Sequence, residues 1–137
     1  MIHTTRLAAT AVLACAIAAL SAACGGSSPS TSPSTGGACT AGPTSTTITI
    51  SNNAACPQNI TVPRGTQVTF INNDSKTHEM TSDPHPEHTD CPELNQVGNL
   101  VVGQTRQTGN LNTAKRCGFH DHIDFLNNAL KGSITIQ

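Results

Sequence analysis

An all-β fold, a Greek-key antiparallel β-sandwich of seven to eight short strands, is what this chain predicts, and three observations predict it. Short stretches rich in Ile, Val and Thr alternate apolar with polar residues at period 2. Clusters of Gly, Pro, Asn and Asp punctuate them, as turns require. After the N-terminal leader, no stretch carries the 3.6-residue periodicity of a long amphipathic helix, so the layers must be sheets.

The chain has 137 residues and opens on a segment outside any fold. Residues 1–23 carry Arg6, then an Ala/Leu/Val/Ile run from Leu7 to Leu20 that ends in small residues, the layout of an export signal. The run is shorter than the roughly 20 apolar residues of a membrane span. "LSAAC", ending at Cys24, resembles the lipobox of bacterial lipoproteins, which implies lipidation of Cys24 and a bacterial envelope location, periplasmic or on the outer surface. Such anchoring is stable when it uses more than one acyl chain. Cys24 and the stretch "GGSSPSTSPSTGGA" make up residues 24–38, a Gly/Ser/Thr/Pro-rich tether with a root-mean-square reach of about 20 Å. Residues 39–137 are then left as one domain with one core.

Within that domain the strands follow in order. Ile48 and Ile50 alternate with Thr47, Thr49 and Ser51; "NITV" leads into the turn "PRG"; and "TQVTFINN" puts Val68 and Phe70 on one face. "HEMTS", "VGNLVVG", "QTRQTGNL", "AKRCGF" and "GSITIQ" continue the pattern, the last with Ile134 and Ile136 alternating with Ser133 and Thr135. Two irregular segments interrupt it, 83–96 and 120–131, the second with a helical turn expected around Leu126 to Leu130. Long loops on a rigid sandwich tend to carry function, and these two hold His85, His88, His120 and His122.

Charge and aromatic content exclude some roles. Arg6 leaves with the leader, so six basic residues face eight acidic ones, and no basic field exists to recruit nucleic acid. Three Phe, with no Tyr or Trp, make no stacking platform for bases. No nucleophile elbow, phosphate loop or His-Glu-x-x-His motif is present, and the chain reads as a binding protein, not an enzyme. Of the six cysteines, Cys15 leaves with the leader and Cys24 is lipidated, which leaves an even set: Cys39, Cys56, Cys91 and Cys117. In an exported domain that parity predicts disulfides. Cys39 and Cys56 flank the first strand and are expected to pair.

The order of motifs "VPRGTQVTFINNDSKTHEMTSD", "VGNLVVGQTRQT" and "RCGFHDH…KGSITI" resembles the cupredoxins, the blue copper domains, over roughly residues 46–137. The resemblance implies one copper ion held by His78, just past the Asn-rich turn, and by Cys117 and His120 before the last strand. A soft thiolate with two imidazoles suits copper, and a weak axial ligand tunes its potential. Where the family's axial methionine is expected, this chain has Ile123, Asp124 and Phe125, so His122 is the candidate fourth ligand and Met80 a weaker one.

Cys117 has two mutually exclusive uses. As a thiolate it leaves Cys91 unpaired, or paired with Cys39 or Cys56; in a Cys91 to Cys117 disulfide it is removed from the metal. With the disulfide, His78, His120 and His122, joined by His85 or His88, would form an imidazole-rich site suited to Cu(II) or Zn(II). The bland alternative for His85 and His88 is a hydrated Pro-rich loop. A free Cys117 implies one-electron transfer at a bacterial membrane, with a redox partner protein. A bonded one implies storage or delivery of copper or zinc, with a copper-exchange partner. A metal-free sandwich serving as an interaction module is the third possibility, and a monomer is expected in each.

Overall fold

The computed structural model describes residues 39–137; the leader, Cys24 and the tether lie outside the described residues. Nine strands are present among them: β1 (Thr47–Ser51), β2 (Ala54–Cys56), β3 (Asn59–Val62), β4 (Thr69–Asn72), β5 (His78–Ser82), β6 (Gly98–Leu100), β7 (Thr105–Gln107), β8 (Lys115–Asp121) and β9 (Gly132–Ile136). They form a four-stranded sheet, β2-β1-β4-β7, and a five-stranded sheet, β3-β9-β8-β5-β6. The all-β sandwich is therefore as expected, and the pairing adds detail: both sheets are mixed, with β1 parallel to β4 and β3 parallel to β9.

Local sequence explains the crossing. Asn52 and Asn53 both take positive φ, 51° and 60°, which lets a two-residue turn fold β1 back onto β2. The chain then passes to the other sheet as β3 and returns as β4, so β4 lies beside β1 in the same direction. Short 3-10 turns at Leu94–Gln96 and Asn128–Leu130 sit in the two irregular segments, the second within the stretch where a helical turn is expected.

The core lies between the sheets. Ile48, Ile50, Val68 and Phe70 from one side meet Ile60, Val62, Met80, Phe119, Ile134 and Ile136 from the other, all at most 3% exposed. Phe70 and Phe119 pack edge to face at 5.5 Å, a geometry worth about 0.5–1.5 kcal/mol beyond burial. Because Phe119 points inward, strand alternation fixes the rest of β8: Cys117, Phe119 and Asp121 face the core, while Arg116, Gly118 and His120 face outward.

Two disulfides join Cys39 to Cys56 and Cys91 to Cys117. Cys91, with Leu94 and Val97, plugs the long segment 83–96 into the core. The closed intervals, 17 and 26 residues, correspond to about 3 and 3.5 kcal/mol in the chain-entropy description.

Candidate metal centre

The expected ligands His78, Cys117, His120 and His122 do not meet at one point. Cys117 takes the second of its two possible forms, paired with Cys91, fully buried and in the middle of β8 opposite Ile134. The physical reason lies in the local backbone. Cys117 and His120 are three apart on a strand, not on a tight loop, so their side chains leave opposite faces of the sheet. His78, on β5 two residues before Met80, shares the inner face with Cys117 and not the outer face with His120.

His78 is committed elsewhere. Its Nδ1 lies 2.7 Å from Asp121 Oδ2 and its Nε2 lies 3.2 Å from Asp74 Oδ2. The backbone N–H groups of Glu79 and Ile123 donate to the other Asp121 oxygen, each at 3.0 Å. The N–H of Asn53 donates to Asp74 at 2.7 Å. Burial raises the Asp74 carboxyl, but the N–H groups of Ser75 and Asn53 and the His78 ring together hold it below its ordinary value. A fully buried imidazole between two hydrogen-bonded carboxylates is a satisfied structural group, with neither ring nitrogen left over for an ion.

The other half of the expectation holds a centre of its own. His120 and His122, two apart and following the strand period, meet His85 and His88 from the first part of segment 83–96. One ligand atom from each of these four histidines lies within 4.8 Å of the others. The rings are held individually. His120 pairs across the sheet with Thr81, and its Nδ1 lies 2.7 Å from Asp83 Oδ1. The His122 N–H donates to Glu79 O at 2.7 Å, which anchors the first residue after β8. His88 takes φ of 54° in a turn whose N–H donates to Pro84 O. His85 stacks face to face on Phe125, 4.1 Å away and 4° from parallel.

Hydrogen-bonding partners also fix which nitrogens carry lone pairs. The Ser82 carbonyl only accepts, so His88 Nδ1–H donates to it at 3.0 Å and Nε2 bears the lone pair of the neutral ring. That Nε2 accepts a hydrogen bond from His122 Nδ1–H at 2.9 Å. His85 Nδ1 is buried and has no hydrogen-bond partner among the described residues. Burial, together with the neighbouring His122, His120 and His88 and against the opposing pull of Glu87, holds His85 below its ordinary value, so this ring keeps its lone pair for a metal. The donor set fits a borderline divalent ion; with no thiolate in it, a blue copper centre is not what these residues build.

His85 and His88 contribute half of this cluster, although their Pro-rich surroundings read in sequence as a hydrated loop. The usable signal was parity: in "CGFHDH" the two histidines share one face, whereas Cys117 and Asp121 share the other.

This is a cupredoxin-like sandwich that carries an all-histidine cluster on the outer face of one sheet. Solved structures with the same fold include a purple cupredoxin from Nitrosopumilus maritimus, at 18% identity and a TM-score of 0.52 over 66% of this chain and 98% of that one. Oxidised plastocyanin from Dryopteris crassirhizoma matches at 19% identity and 0.53 over 66% and 99%. A Cu(I) structure of a mutant amicyanin matches at 14% and 0.50 over 66% and 80%. At these identities the likeness is one of fold. No protein-family profile and no curated sequence matches the chain.

Proposed function

We propose that this protein binds one copper ion as Cu(II) through His85, His88, His120 and His122, and that it stores or delivers the ion without redox cycling. The observation that carries this reading is the convergence of four imidazole nitrogens within 4.8 Å while Cys117 is tied to Cys91 on the opposite face of the strand. Bound there, copper would be held by four imidazoles, a donor set that suits Cu(II) and lacks the thiolate of a rapid electron-transfer site. The chain's own part is to hold the four rings together and to orient them through their hydrogen bonds. In this reading it is a binding protein that acts with a copper-exchange partner. It is exported and held at a bacterial membrane through lipidated Cys24. Zn(II) is the competing cargo for the same four imidazoles.

One-electron transfer stays as the second reading because the fold is shared with plastocyanin and amicyanin. A single titration separates the two. One equivalent of Cu(II) is added to the exported chain carrying Cys24→Ser, and visible absorption and electron paramagnetic resonance are recorded. Storage or delivery predicts one-to-one binding with a faint ligand-field band and several coupled nitrogens. An intense thiolate-to-copper band would overturn it in favour of electron transfer.

A further inference from the structure

We infer that Asp83 is the positioning residue of the histidine cluster, joining its two halves and setting the tautomer of His120. The inference rests on the metal-binding reading above and assigns a role to a residue outside the four ligands.

Three contacts of Asp83 converge on this role. Its main chain forms the base of the loop that carries His85 and His88: the Asp90 N–H donates to Asp83 O at 2.9 Å, and the Asp83 N–H donates to Gly118 O on β8 at 3.1 Å. Its side chain reaches the other half of the cluster, with Oδ1 2.7 Å from His120 Nδ1. An ionised carboxylate only accepts, so this contact places the proton of the neutral ring on Nδ1 and leaves the lone pair on Nε2. The Nε2 side meets only the Thr81 hydroxyl, at 3.4 Å, a long contact that a metal can replace. A carboxylate behind a ligating histidine fixes ring orientation and raises its basicity, and loss of such a partner typically costs 10–100-fold in metal affinity.

The strand is shaped to seat this carboxylate. Gly118 lies two residues before His120 on the same outer face, and a Cβ there would overlap Asp83 Oδ2 and Cγ. Glycine in a strand interior weakens the strand, and a close approach by another group is the usual reason for it. Beyond Asp83 an open cavity of about 230 Å³, lined by Asp90, Arg116, Gly132 and Ser133, gives the carboxylate access to water, consistent with its 45% exposure. Asp83 is thus held from one side by the sheet and solvated from the other.

The test has two readouts on the Cys24→Ser chain, exported so that its disulfides form. Nitrogen-15 NMR of the metal-free protein reports which nitrogen of His120 is protonated. The expected result is Nδ1–H in the parent and loss of that preference in Asp83→Ala; an Nε2–H ring in the parent, or an unchanged ring in Asp83→Ala, overturns the inference. Competition titration then measures Cu(II) affinity. A 10–100-fold loss is expected for Asp83→Ala and for Gly118→Ala, which displaces the carboxylate. Partial recovery is expected for Asp83→Asn, whose amide oxygen still accepts from Nδ1–H. Equal affinities in the parent and Asp83→Ala overturn the inference while leaving the metal site intact. If the parent binds no copper, the proposed function fails instead, and the NMR result alone decides the role of Asp83.

Discussion

His78 and His120 carry the same side chain in the same sheet and have opposite roles, because one faces inward between Asp74 and Asp121 and the other outward toward three more imidazoles. Substituting them separates those roles. His78→Ala leaves the buried Asp121 carboxylate and the partly exposed Asp74 without their partner and is expected to cost up to about 3–5 kcal/mol in urea denaturation, with Cu(II) affinity unchanged. His120→Ala is expected to abolish tight Cu(II) binding by competition titration and to disturb stability far less. The ionisations give a second expectation, for the metal-free protein. His85 is held below its ordinary value of 6.5, so the unfolded chain takes up that proton first and stability falls as pH drops through the region below 6.5. Asp74 is held below 3.8, so its contribution is present above that pH and is lost as pH falls beneath it. Thermal melts from pH 7.5 down to about 3 should show a decline in both windows, and a melting temperature that rises on acidification would refute the assignment. The make-up of the histidine cluster was only half legible in the sequence. His120 and His122 could be found, but His78 could not be told from a ligand, because its partner Asp121 is 43 residues away.

At the scale of elements, the histidine cluster is made by holding segment 83–96 onto β8, and the Cys91–Cys117 disulfide is the covalent part of that hold. The double variant Cys91→Ser, Cys117→Ser is expected to lose about 3.5 kcal/mol of stability, read by chemical denaturation. Its Cu(II) affinity is expected to fall as well, since the loop bearing His85 and His88 must then be ordered by the metal itself. An unchanged affinity would mean that hydrogen bonds from the loop to the sheet suffice alone. The strands themselves were readable, because period-2 alternation is a local property; Ile48 and Ile50, Val68 and Phe70, and Ile134 and Ile136 all point where their spacing says. Strand direction was not readable. The parallel pairing of β3 with β9 joins Asn59 to Ser133, and no local pattern records a contact over that distance. The same limit hid the fate of Cys117: a tight loop and a strand give opposite answers for residues three apart.

For the whole molecule, a cupredoxin-like sandwich was legible from the order of its motifs, whereas the full membership of its histidine cluster was not, because a fold does not dictate its site. The proposed attachment gives a direct expectation: the native chain should fractionate with membranes and the Cys24→Ser chain should be soluble, with the same Cu(II) stoichiometry in both. A Cys24→Ser chain that stays with the membrane would remove lipidation from the account. The Cys39–Cys56 bond has a mechanical consequence for any chain pulled from its N-terminal side. Tension arriving at Cys39 crosses the sulfur bridge directly to Cys56, at the end of β2. The intervening residues, which include all of β1, form a closed covalent ring outside the path of the load. The strand between β2 and β4 is therefore shielded from being peeled away, and the first strand pairing to bear the force is the one between β3 and β9.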